Sequence, residues 1–359
     1  MFHRSRITSW TRFLFGLACL ATHARAEQVC HTVAVPTTAT NFDVGIAIPR
    51  FDTLLGTLTS VSVSFQVLAS GSSQVESLET SAWSGSAVPG VLVRVLDAND
   101  GILGEASTDA ETPLELAAYD GVSDYAGLSG QTVPSAALPT VVGSGSSSDS
   151  GTLGLYAGPA GNPGPSGTRV VAVGISVVTG AGELLSTFST QASVSVTVCY
   201  TYAPRITSLC FGDGSGAACP CDNESTAPTG CLNSFGFGSL LSATGGAFVG
   251  SDTLQLSATV PGSNTTLFFQ GTAVVGGGSG ELFGDGLHCA GGTTIELISL
   301  SAISGVAQFP RTGDPLVSEA GSVSAGVTRY YQAWYRNSAS FCTESTWNLS
   351  NALQVVWGA

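Results

Sequence analysis

The sequence predicts an all-β fold: two β-sandwich-like domains in series behind a signal peptide. Three observations carry this. Valine-rich stretches alternate with polar residues, glycine is abundant (46 residues) while charged residues make up only 10% of the chain, and eight of the nine cysteines lie beyond residue 26. Alternation at period two marks a strand with one buried face. A chain so poor in Lys, Arg, Asp and Glu lacks the charged face that amphipathic helices need. Hydrophobic residues, at 43%, suffice for one or two cores.

Residues 1–26 read as an export signal. Arg4, Arg6 and Arg12 precede an apolar stretch from Phe13 to Ala21, and Ala24-Arg25-Ala26 gives the small-x-small site that a signal peptidase accepts. The stretch falls short of the roughly 20 residues a membrane span needs, so cleavage before Glu27 is expected. Cys19 offers an alternative, a lipidated N-terminus, although Leu17 lies one position away from where a lipoprotein signal places it. No later segment is long and apolar enough to span a bilayer, so the expected location is secreted or cell-surface, with no direct membrane span.

Eight cysteines then remain, an even number that suits disulfides. A metal cluster would need reduced thiolates and usually histidines, whereas only His31 and His288 remain beyond the signal. Every basic residue is arginine, and past residue 26 seven arginines face twenty-five acids, a net charge of −18. Such a surface repels phosphate backbones and anionic headgroups, which excludes nucleic acid as a partner class and favours cationic ions or basic partners.

The first domain is expected over residues 27–204. Val61, Val63, Phe65 and Val67 alternate with polar residues, as do Val91, Val93 and Val95, and then Val194, Val196, Val198, Tyr200 and Tyr202. Asp97-Ala98-Asn99-Asp100-Gly101, the serine-glycine run from Gly143 to Gly151, and Gly158 to Gly167 read as turns and loops. Cys30 and Cys199 each lie on the parity opposite to the aliphatic face of a terminal strand. They are therefore expected to bridge, making the first and last strands neighbours; the chain-entropy model gives a loop of about 170 residues roughly 5 kcal/mol at most.

Phe51-Asp52, then Leu55-Gly56-Thr57-Leu58-Thr59-Ser60-Val61, and the closing Val-x-Val-x-Tyr-x-Tyr strand resemble the bacterial choice-of-anchor E domain. That resemblance covers about half of the chain and implies export and surface association. Members carry a surface-sorting tail where this chain has a second domain.

The second domain, residues 205–359, opens with a cysteine cluster: Cys210, Cys219-Pro220-Cys221, and Cys231. Cys219 and Cys221 are too close to pair with each other. A Cys289 to Cys342 bridge is expected, leaving Cys210, Cys219, Cys221 and Cys231 to pair locally. Strands are expected over residues 239–249, 253–260, 265–271, 293–300, 327–336 and 353–357. Phe-Gly-Asp-Gly-Ser-Gly followed by Cys-Pro-Cys, with Arg329-Tyr330-Tyr331-Gln332 to Asn337 and Phe341-Cys342, resembles a cysteine-rich C-terminal domain of bacterial secreted proteins that has no assigned activity.

Phe-Gly-Asp-Gly occurs at 211–214 and again at 283–286, so Asp213 and Asp285 are candidate Ca²⁺ ligands. The preferred reading is tight Asp-Gly turns beside disulfides, with no cofactor. Asp97 to Gly101 begins like a calcium loop but has its glycine one place early, and reads as a hairpin turn. The strand 329–337 places Tyr331, Ala333 and Tyr335 on one face and Tyr330, Gln332, Trp334 and Arg336 on the other. With Trp347, the second face is a candidate sugar-stacking row, against the alternative of a strand buried on both sides.

Catalysis has little sequence support: there is no Gly-x-Ser-x-Gly elbow and no His-x-x-x-His spacing. Glu76, Glu79, Asp109 and Glu111 are the carboxylates that a secreted polysaccharide hydrolase, the rival class, would have to bring together. The expectation is a non-catalytic extracellular structural or adhesion protein, with an extracellular glycan or an envelope or matrix protein as partner.

Overall fold

The computed structural model describes residues 26–337 and 340–359. The signal expected over residues 1–26, Cys19 included, lies outside the described residues except for Ala26. The protein is all-β. Among the described residues no helix is long and apolar enough to cross a membrane.

One sheet of the first half runs Glu27–Ala39, Leu184–Pro204, Gly56–Ser77, Val141–Ser147, with Gly130–Ala137 on the far end of Gly56–Ser77. A second sheet runs Phe42–Gly45, Arg169–Gly174, Gly90–Leu96, Ile102–Asp109. The alternation seen in the sequence fixes which faces meet. Val61, Val63, Phe65, Val67, Val194, Val196 and Val198 of the first sheet share one core with Val91, Val93, Val95, Val170 and Ala172 of the second. This is the packing of a β-sandwich, with polar residues pointing outward.

Residues 97–101 form the expected hairpin turn between Gly90–Leu96 and Ile102–Asp109: Asp97 Oδ1 accepts from the amides of Asn99 and Gly101, both at 2.8 Å. The serine-glycine run is not the expected loop. Val141–Ser147 is a strand and Ser150–Tyr156 a short helix. Glycine serves the strand because Gly143 lies opposite Phe65, whose ring fills the space a Cβ would need.

In the second half, one sheet runs Ile206–Leu209, Trp347–Val356, Thr328–Arg336, Thr265–Val274, Ala290–Ser301. Leu241–Thr244, Gln255–Thr259 and Val306–Phe309 form a smaller sheet. Phe268, Tyr331, Ala333, Tyr335, Leu353 and Val355 meet Leu241, Leu256, Ala258, Ala307 and Phe309 in a second core. Four strands escaped the sequence pattern: Ile206–Leu209 and Val306–Phe309, each too short to show a period, and the two of the hairpin Glu281–Phe283 with Gly286–His288.

Four disulfides cross-link the chain. Cys30 and Cys199 bridge as expected, directly opposite each other on paired terminal strands. Cys219 joins Cys231, a local pair within the cluster as expected, whereas Cys210 joins Cys289 and Cys221 joins Cys342, which corrects the expected Cys289 to Cys342 bridge. The hairpin decides the matter. It carries Cys289 inward to a small cluster with Cys210, Cys219, Cys231 and Leu287, whereas Cys221, with φ of 59°, turns outward to Cys342.

Access decides how fast a disulfide exchanges. Cys30 and Cys221 are exposed, while Cys210, Cys289, Cys219 and Cys231 are buried. Timed alkylation under mild reductant is expected to open Cys30–Cys199 and Cys221–Cys342 first; simultaneous opening of all four would contradict the burial pattern.

Burial raises the phenol of Tyr156 to about 12, and burial together with Glu27 raises that of Tyr202 to about 12. Burial also pushes up Tyr200, Tyr331 and Tyr335. Below the ordinary value of 10.0 all are protonated whether folded or not. Above it the unfolded chain ionises while the folded phenols keep their protons, so stability falls as pH rises. The loss is about 1.4 kcal/mol per pH unit for each such tyrosine. Denaturation midpoints are expected to drop steeply between pH 10 and about 12; a flat profile there would show that these phenols are not buried.

Candidate functional site

The outer face of the sheet in the second half is not a uniformly polar surface. Strand register sets Trp334 between Leu267 and Leu349, and Phe269 between Gln332 and Glu296. The hairpin Glu281–Phe283 with Gly286–His288 rises beside this face. Together they line a groove of about 350 Å³, formed by Leu267, Phe269, Phe283, His288, Glu296 and Trp334 with Thr294 and Leu349.

Its rings Phe269, His288, Phe283 and Trp334 run in a series completed by the neighbouring Trp347, which lies outside the lining. Phe269 lies 6.0 Å from His288, His288 5.8 Å from Phe283, Phe283 6.0 Å from Trp347, and Trp347 6.4 Å from Trp334. The Arg336 guanidinium sits over Trp334 at 5.0 Å and donates to Thr346 Oγ1. His288 Nδ1 lies 3.3 Å from Glu281 Oε1. An elongated apolar floor with a few polar groups at its edges suits a flat ligand with hydroxyls at its rim.

A buried polar framework holds this arrangement. Asp285 is fully buried. Its Oδ1 accepts from the Thr343 amide at 2.9 Å and from the Thr343 hydroxyl at 2.8 Å, and its Oδ2 accepts from Asn337 Nδ2 at 3.0 Å. Its backbone amide donates to Trp347 O and its carbonyl accepts from Asn223 Nδ2. Asp285 thus ties the hairpin to the segment that carries Trp347. Neighbouring Gly284, at φ of 62°, packs against the Trp347 indole where a Cβ would collide.

Several sequence expectations are revised here. Gln332 is not an exposed amide: it is fully buried, its Oε1 accepting from the amides of Cys289 and Ala290 and its Nε2 donating to Leu287 O and Ser350 O. It fastens the hairpin to the sheet. Tyr330 and Trp334 are half-buried and pack against Phe269, Ala290 and Leu349, Trp347 is half-buried and Arg336 is exposed, so the second face of the strand is partly covered and partly open. The carboxylate oxygens of Asp285 are committed to protein donors, which corrects its calcium role. Asp213 is exposed, and its carboxylate is held below the usual range by the Ser215 hydroxyl and then the Ser215 amide. Among the described residues no group of three or more His, Cys, Asp or Glu side chains is placed to hold a metal ion.

The carboxylates named for the rival hydrolase differ in access. Glu76 is fully buried, with Oε2 accepting from the Tyr125 amide at 2.7 Å, and Glu79 accepts from the Glu183 amide. Asp109 and Glu111 are exposed around the turn between Ile102–Asp109 and Thr112–Leu116. Sequence reasoning missed Phe269, Phe283, His288 and Glu296. The usable signals were Phe268-Phe269, adjacent aromatics that must face opposite ways on a strand, and the phenylalanine rather than the aspartate of the second Phe-Gly-Asp-Gly.

No family model matches the chain, and no curated protein matches it. Among solved structures it is similar to a chain of the IBDV viral particle, at 12% identity and a TM-score of 0.13 over 54% of this chain and 44% of that one. It is also similar to a beta-1,2-glucanase from Parabacteroides distasonis, at 8% identity and a TM-score of 0.17 over 93% of this chain and 37% of that one. The chain thus spans less than half the length of either, and scores this low carry no argument about fold or function.

Removing the Asp285 carboxylate would leave buried donors of Asn337 and Thr343 without partners. Asp285→Ala is therefore expected to cost about 3 kcal/mol in urea denaturation. Wild-type stability in that variant would show that the hairpin is held by other means.

Proposed function

We propose that this protein is an exported, non-catalytic glycan-binding protein of the cell surface or extracellular matrix, and that the aromatic groove is its binding site. The carrying observation is the groove in which Phe269, buried at its floor, His288 and Phe283 of the hairpin and the half-buried Trp334 meet Thr294 and Glu296, with Trp347 linking Phe283 to Trp334 from outside the lining. Sugar rings present flat C–H faces that pack on such rings, while their hydroxyls reach the polar rim. Among the lining residues Glu296 is the one carboxylate, where glycoside hydrolysis uses two across the scissile bond.

Four disulfides support assignment to an oxidising compartment. So do the signal-like residues 1–26 and the resemblance of the first half to choice-of-anchor E domains. In this reading the first half is a surface-associated spacer and the second meets the ligand.

The full-length chain is expected to be retained on at least one insoluble or immobilised polysaccharide. Trp334→Ala should weaken that retention by about 2 kcal/mol, roughly thirtyfold, the usual cost of truncating a central aromatic anchor. Glu105→Gln, on the sandwich of the first half, serves as the control. A polysaccharide panel that retains neither protein would refute the proposal.

A further inference from the structure

We infer that the groove selects glycans whose sugars carry a free, protonated amino group over the same glycans with that amine acetylated. This deepens the glycan-binding reading and rests on it.

The groove combines two features that attract organic cations. The first is its aromatic wall, since the faces of Trp, Tyr and Phe rings carry negative charge density and draw cations by about 0.5–2 kcal/mol depending on exposure. The chain already displays this attraction, because its own Arg336 guanidinium lies over Trp334 at 5.0 Å. The second is Glu296. It projects from Ala290–Ser301 directly beside Phe269, lines the groove, and makes no ion pair among the described residues. The other charged groups at the site are engaged: Glu281 with His288, and Arg336 with Trp334 and Thr346.

A carboxylate at the edge of an aromatic floor presents the complement of an ammonium group on an otherwise flat, apolar ring face. An acetylated amine offers no charge to either feature. A carboxylated sugar would meet Glu296 with like charge and arrive at a chain whose formal charge is −14, so the same features disfavour acidic glycans.

The test compares two oligosaccharides that differ at one group, the hexamer of glucosamine and the hexamer of N-acetylglucosamine. Both are titrated calorimetrically into the full chain in mildly acidic buffer, where the free amine is protonated. The amine form is expected to bind about tenfold more tightly, with the ratio shrinking as salt is added. Glu296→Gln should bring the ratio close to one, and Glu111→Gln, in the first half, should leave it as in wild type; thermal melting of both variants verifies that they fold.

Equal affinity for the two hexamers would overturn the selectivity while leaving glycan binding intact. So would a preference that survives Glu296→Gln. Binding of neither hexamer, in a chain also retained by no polysaccharide, would remove the selectivity together with the reading beneath it.

Discussion

Oxidation of the cysteines is the constraint on which the rest of this structure depends. A chain with 46 glycines loses an unusual amount of backbone freedom when it folds, and ordering costs roughly 1–2 kcal/mol per residue. With so few charged side chains, ion pairs compensate little. Cross-links that span 169, 79 and 121 residues shrink the unfolded ensemble instead. The shorter Cys219–Cys231 bridge contributes by packing as well, because with Cys210 and Cys289 it supplies a small apolar centre where the sequence has few aliphatic residues.

The aromatic groove inherits its rigidity from the same arrangement. Thr328–Arg336 presents Tyr331, Ala333 and Tyr335 to the core and Tyr330, Trp334 and Arg336 to the opposite side, so one strand is both foundation and surface. Its core side is pinned by polar contacts as well as packing: Tyr331 donates to Gln270 Oε1 and accepts from Trp357 Nε1. Gln332 and Asp285 then fix the hairpin that completes the wall. Side chains held this way have little conformational freedom left to lose.

The sequence made the all-β class, the sheet faces and the Cys30–Cys199 bridge legible because each follows from period-two parity, a property of neighbouring residues. The remaining bridges were not legible, since they depend on a hairpin whose strands are three residues each. Trp334 and Trp347 were visible as candidates. Gln332 was not distinguishable from an exposed amide, because parity gives the face and not what covers it. Phe283 and His288 join the groove only through the fold-back of that same hairpin. The Gly143–Ser147 segment misled for a related reason: glycine marks a loop when nothing faces it, and a strand when a large ring does.

Glu27 and Tyr202 lie opposite each other at one end of the first sandwich, and the bridge between Cys30 and Cys199 sits three residue pairs in. Tension applied along the polypeptide at those two points would peel only those few pairs before reaching a covalent bond. The residues between Cys30 and Cys199 are shielded from the load. Under such a load the first half would lengthen by no more than those few residue pairs.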